Sequence, residues 1–251
     1  MKLGMTSLTL GRFEPEIVAE YAAKAGLCGI EWGVSDLHMP LLSHAHANKI
    51  KKASEKYGLE IFSLASYCEM KDREECGDTV ETAQMLGASV IRVWAGNTGA
   101  AHTSDEDYTL IVENTRYMVR EAAKRGIQIG FEYHHGTLTD TADSAVRLAS
   151  DSGAGLYWQP DGEKTAEENI AEFEAVKPYS CGMLHVQNYT PENGYGMLSD
   201  IADKLRKYYI PVKDGDFRLL IEFVKDGDPA NLIKDAETLG EIIQKNRTTN
   251  F

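Results

Sequence analysis

Eight times along this chain a short apolar run is followed by a longer segment whose apolar residues recur with the spacing of a helix face. The strand candidates are residues 3–7, 29–33, 60–66, 89–96, 128–134, 154–160, 181–189 and 217–224. The helix candidates between them are residues 14–25, 44–57, 79–86, 105–124, 141–150, 165–176, 197–207 and 229–244. In the first of these, Ile17, Val18, Tyr21, Ala22 and Ala25 line up as one apolar face. The tripeptides KAG (24–26), KYG (56–58), MLG (85–87) and KRG (124–126) fall where helices should stop, because glycine takes the left-handed conformation that ends a helix.

Eight such units in 251 residues, with no composition break or Pro/Ser-rich linker, predict one α/β domain over residues 1–251. A closed (β/α)8 TIM barrel needs about 250 residues. An open doubly wound sheet would carry a glycine-rich phosphate loop after its first strand, and TSLTLGRF (6–13) has none. A 43% hydrophobic content can fill the core of such a barrel. No run approaches the roughly 18 apolar residues of a membrane span. The opening MKLGMTSLTLGRF reads as a first strand, not a secretory leader, so a cytoplasmic protein without a membrane partner is expected. Cys28, Cys68, Cys76 and Cys181 are widely spaced and form no CxxC pair, which suits reduced, buried thiols. Net charge is −13 and no Lys/Arg cluster stands out, which argues against nucleic acid as a partner.

Chemistry concentrates in the second half. IGFEYHH (129–135), GLYWQPDG (155–162), GMLHVQNY (182–189) and RLLIEFV (218–224) each end an apolar run with a side chain of metal-ligand type. The C-terminal strand ends form the active face of such a barrel, so Glu132, Gln159 or Asp161, His185 and Glu222 are brought around one point. Strand alternation permits the convergence: Gly130 and His134 share the face of Glu132, Gln159 shares that of Asp161, and Leu220 and Val224 that of Glu222. Glu132 and Glu222 lie inside apolar runs, and a buried carboxylate must pair with a cation, accept hydrogen bonds or bind a metal. Two carboxylates, an imidazole and an amide or carboxylate oxygen suit one divalent cation: Mn2+ first, with Mg2+, Co2+ or Zn2+ as alternatives.

GIEWG (29–33), IRVWAG (91–96), FEYHHGTLTDT (131–141), YWQP (157–160), LHVQ (184–187) and LLIEFV (219–224) give the chain a resemblance to a known family. It resembles, over its whole length, the sugar-phosphate isomerase/epimerase group of xylose-isomerase-like TIM barrels. The resemblance implies four ligands from strands five to eight, usually Glu, Asp, His and Glu, around one divalent cation. Glu132, His185 and Glu222 match the first, third and fourth. The family's Asp falls on Gln159, and the His usually found three residues later falls on Gly162. Gln159 can still offer a neutral carbonyl oxygen, and Asp161 can reach the ion if its loop turns back.

The resemblance also implies a small-molecule sugar substrate, a homo-oligomer being allowed, and proton transfer through an enediolate with Glu132 and Glu222 as the catalytic pair. Two-face transfer would give ketose epimerisation, and one-base transfer would give aldose–ketose isomerisation. The same enediolate can expel a β-hydroxyl, so a lyase or dehydratase of a sugar acid or inositol derivative is the alternative. A non-catalytic sugar binder is a third reading. A DNA-repair endonuclease would need further ligands and a basic groove. Five further residues are substrate-binding candidates: Glu31, Arg92, His134, Trp94 and Trp158. For Glu31 an ion pair with a nearby arginine competes with that role. For Arg92 the competitor is a counter-ion role toward Glu31 or Glu132, and for the tryptophans it is plain packing. Lys225 and His38 can sit on mouth loops.

Overall fold

In a computed structural model that describes residues 1–213 and 215–248, eight parallel strands close into a barrel. They are β1 (Lys2–Thr6), β2 (Gly29–Gly33), β3 (Glu60–Ala65), β4 (Val90–Val93), β5 (Gln128–Glu132), β6 (Gly155–Trp158), β7 (Ser180–Val186) and, after a small hairpin, β10 (Arg218–Ile221). Closure is made by β10 on β1, with Lys2 opposite Arg218 and Met5 opposite Ile221. Helices α1 (Pro15–Lys24), α2 (His44–Tyr57), α3 (Arg73–Leu86), α4 (Asp105–Ala123), α5 (Ala142–Ser152), α6 (Ala166–Val176), α7 (Ala202–Tyr208) and α8 (Pro229–Thr248) follow the strands. The αL conformation of Gly58 and Gly87 ends α2 and α3, as the sequence signals predict.

Four expectations need correction. Cys28 is exposed and not a buried thiol. The buried face of α1 is Pro15, Val18, Ala19 and Ala22, while Ile17 is exposed. Helix α3 begins at Arg73, six residues before the expected 79, because the Asp72 carboxylate accepts from the Glu74 amide and caps it there. The run 181–189 divides into β7 and the first strand of the hairpin formed by β8 (Tyr189–Thr190) and β9 (Gly194–Tyr195).

The barrel interior is layered. Phe62, Val90, Tyr157, Met183 and Leu220 form a compact apolar cluster. A Cβ on Gly4 or Gly29 would stand 2.6 and 2.5 Å from the Phe62 ring, so glycine at both positions makes room for it. The register between β2 and β3 slips after Ile30: Ile30 pairs with Ile61, but Glu31 pairs with Ser63. This bulge lets the consecutive Phe62 and Ser63 both serve the interior, one in the apolar layer and one against Glu31 above it. Glu31, Arg92, Glu132 and His185 lie above that layer, toward the C-terminal ends of their strands, while Lys2, Glu60 and Arg218 open theirs at the other end.

Candidate active site

Glu132 is the last residue of β5, His185 is the sixth of β7, and Glu222 follows the end of β10. All three are buried, and one ligand atom from each lies within 4.8 Å of the others. Among the described residues this is the one such group of three His, Cys, Asp or Glu side chains. Glu222 owes its place to a local clip. Thr9 Oγ1 donates to the Ile221 carbonyl (3.1 Å) and accepts from the Phe223 amide (3.0 Å). Phe223 has φ 54, a region a bulky residue seldom enters, so alternation breaks there and Val224 joins the outer core.

The His185 ring is held at one nitrogen and free at the other. Nε2 lies 2.9 Å from Glu31 Oε1. Nδ1 lies 3.4 Å from Glu132 Oε1 and 3.4 Å from Glu222 Oε2, and it has no hydrogen-bond partner. A lone pair aimed between two carboxylates is repulsive unless a cation or a proton stands there. Burial works against the imidazolium, yet Glu222, Glu31 and Glu132 outweigh it and raise the His185 pKa well above its usual value. The donor set, two carboxylates and an imidazole nitrogen without a partner, fits a divalent cation.

Glu132 is tied more firmly than Glu222. Its Oε2 is in a buried ion pair with Arg92 Nη1, and Gln159 Nε2 approaches Oε1 at 3.4 Å. Burial alone would raise the Glu132 carboxyl, but Arg92 and His185 hold it down to about 2. Arg92 thus stands as a counter-ion to Glu132 in this structure. Its guanidinium carbon also stands 5.7 Å from the Tyr67 ring centre.

Gln159 donates to the Tyr133 carbonyl (3.1 Å) and accepts from Gln187 (2.9 Å), so its own oxygen is engaged away from the triad. Asp161 caps its own loop: it accepts from the Glu163 amide (2.9 Å) and lies 3.7 Å from Lys164. Gln159 thus borders Glu132 through its nitrogen, while Asp161 is turned to its own loop. Glu31 has no exposed surface, and its Oε1 lies 2.9 Å from His185 Nε2. Trp158 packs on Phe173 (4.9 Å) and Tyr208 in the outer layer. Trp94 and His134 do meet, with ring centres 4.6 Å apart, and are half-buried. His38 is buried between Ser7 and the Phe13 carbonyl, at 2.9 and 3.0 Å.

A cavity of about 630 Å3 opens beside the triad over the ends of β5, β6 and β7. Its wall includes His134, Gln159, Asp161, Gln187 and Tyr189, and Gln159 is its link to Glu132. Ser63, Tyr157, Thr9 and Gln187 are site residues that the sequence reading did not assign. Hydroxyls and an amide inside ordinary strand or turn patterns carry no signal of their own.

Residues 19–194 match the family described as Xylose isomerase-like TIM barrel. Over 236 residues the chain is 24% identical to a 3-dehydroshikimate dehydratase from Bacillus anthracis, covering 84% of this chain and 81% of that protein. Its fold is similar to that of a D-tagatose 3-epimerase-like protein, with TM-score 0.75, 18% identity and 98% of each chain covered. It is similar also to a xylose isomerase-like TIM barrel protein from Mycobacterium smegmatis in complex with magnesium. There the TM-score is 0.71 at 14% identity, covering 98% of this chain and 97% of that one. Among the described residues no helix is long and apolar enough to cross a membrane.

Proposed function

We propose that this chain, which belongs to the xylose isomerase-like TIM-barrel family, is a divalent-metal-dependent sugar isomerase or epimerase acting on a ketose, an aldose or a related polyol derivative. The observation that carries the reading is the His185 Nδ1 without a partner, facing one oxygen each of Glu132 and Glu222. These three residues would hold the ion, with Mn2+ first among the candidates. When bound there, the ion supplies Lewis-acid polarisation of a substrate carbonyl.

The remaining chemistry falls to the chain. Glu222 is the freer carboxylate, so it takes the proton from the carbon next to the carbonyl and returns it to the former carbonyl carbon. The hydroxyl proton meanwhile passes from the one substrate oxygen to the other. Glu132, held by Arg92 and approached by Gln159, stays ionised and fixed. This asymmetry favours a one-carboxylate shift over a two-face epimerisation that would need both acids free. Gln187, beside Gln159 on the cavity wall, is placed to orient substrate hydroxyls, and Trp94 with His134 offers an aromatic face at the mouth.

The same asymmetry, with the similarity to a 3-dehydroshikimate dehydratase, favours one alternative reading, a dehydratase. One base removes the proton and passes it to the β-hydroxyl, which the enediolate expels as water. A screen in D2O with Mn2+-loaded protein separates them. Deuterium entering an aldose or ketose beside its carbonyl, lost in Glu222→Gln, supports the isomerase. Loss of water from 3-dehydroshikimate with no such exchange supports the dehydratase. Neither reaction at high protein concentration contradicts both.

A further inference from the structure

Beneath the triad lies a second polar group that the proposed reaction does not use. Glu31 and Tyr157 are fully buried, and Ser63 beside them is as deeply buried. Ser63 Oγ donates to Glu31 Oε2 at 2.9 Å, and the Tyr157 hydroxyl reaches the same oxygen at 2.6 Å and Ser63 Oγ at 2.7 Å. The other oxygen, Oε1, is turned to His185 Nε2 at 2.9 Å. The Tyr157 ring packs edge-on against the imidazole, with centres 5.3 Å apart.

A carboxylate at the floor of a barrel is costly unless each oxygen is used. Here both are, and the use is directional. Two hydroxyl donors on Oε2 favour the ionised acid, and an ionised acid only accepts. His185 must then carry a proton on Nε2, which leaves Nδ1 as the nitrogen that faces Glu132 and Glu222 and exchanges its own proton for a cation. A partner on the far nitrogen fixes both the tautomer and the tilt of a ligating ring.

Building on the metal reading above, we propose that Glu31, Ser63 and Tyr157 form a buried positioning unit that orients His185 so that Nδ1, not Nε2, meets the cation. Glu31 is thereby a positioning residue and not a substrate contact.

The test is calorimetric titration of metal-stripped wild type, Glu31→Gln, Tyr157→Phe and Ser63→Ala with Mn2+ alone, each checked by thermal melting. It is paired with NMR of 15N-histidine-labelled protein with and without Mg2+. Glu31→Gln is expected to weaken Mn2+ binding about 10- to 100-fold, and Tyr157→Phe by about threefold to tenfold. In wild type the His185 Nε2 proton is expected far downfield and slow to exchange, and Glu31→Gln is expected to abolish that signal. Folded Glu31→Gln and Tyr157→Phe binding Mn2+ within about twofold of wild type would overturn the proposal, as would a wild-type proton residing on Nδ1 alone. If Glu31→Gln does not fold, Tyr157→Phe decides. If wild type binds no Mn2+, the metal reading fails. This proposal falls with it, whereas Mn2+ binding that the folded variants share with wild type overturns this proposal alone.

Discussion

The first four strands and the last four do different work at the barrel mouth. From β2, β3 and β4 come Glu31, Ser63 and Arg92, all buried and each bonded to another side chain of the site. From the ends of β5, β7 and β10 come Glu132, His185 and Glu222, the groups whose free atoms face one another. The first half holds, and the second presents, with Tyr157 of β6 adding its hydroxyl to the hold on Glu31. The division is electrostatic as well as geometric: the holding half supplies one cation and one anion, each spent on a presenting residue. A site with two buried acids close together needs such support before any ion arrives.

Breaking the holding half should cost most in stability. Arg92→Met leaves the buried Glu132 carboxylate without its ion pair, and the metal-free protein should lose about 3–5 kcal/mol in denaturant unfolding. Mn2+ should restore part of it, since the ion supplies the missing positive charge. A loss under about 1 kcal/mol would mean that the pair does not hold Glu132 in solution.

Breaking the presenting half should cost little stability and much binding. Glu222→Gln is expected to keep the melting temperature within a few degrees while weakening Mn2+ about 100-fold, read by calorimetry. Turnover on the true substrate should vanish. An active Glu222→Gln would remove Glu222 as the proton carrier.

The two halves meet at His185, and pH should show it. Burial alone would lower its folded pKa, but Glu222, Glu31 and Glu132 outweigh that and raise it. A histidine so raised stabilises the metal-free fold below its unfolded value of about 6.5. That contribution is lost as pH climbs through the folded value. A cation replaces the proton on Nδ1, so the rise in melting temperature given by Mn2+ should grow as pH climbs toward the folded value and level off above it. A gain independent of pH would place the ion elsewhere.

The smallest effects sharpen the boundary of the ligand set. Gln159→Ala should weaken Mn2+ by about threefold or less, through the loosened approach to Glu132, and Asp161→Asn should leave it unchanged. A drop of about 30-fold in either variant would restore that residue as a fourth ligand.

What the sequence revealed and what it concealed follow the same division. Glu132, His185 and Glu222 were legible because an ionisable residue at the end of an apolar strand has few inexpensive explanations, and three at matching positions have fewer. Arg92 was legible as a counter-ion but not as the partner of Glu132 in particular, since strand order alone leaves the pairing open. Ser63 and Tyr157 were not legible at all. Tyrosine and serine are ordinary in strands, and the bulge that turns Ser63 inward follows from the pairing of β2 with β3, which no local pattern carries. The Phe223 backbone and its Thr9 clip were hidden for the same reason, because they join residues 214 positions apart. The hairpin of β8 and β9 is two residues per strand, too short for alternation to register.

The most direct measurement is an anomalous difference map at the manganese edge from crystals of the protein grown with Mn2+. The account predicts one peak per chain about 2 Å from His185 Nδ1, between Glu132 Oε1 and Glu222 Oε2, with Glu31 still on Nε2. A fully formed site with no peak there, or a peak on Asp161 or His134 instead, would contradict it.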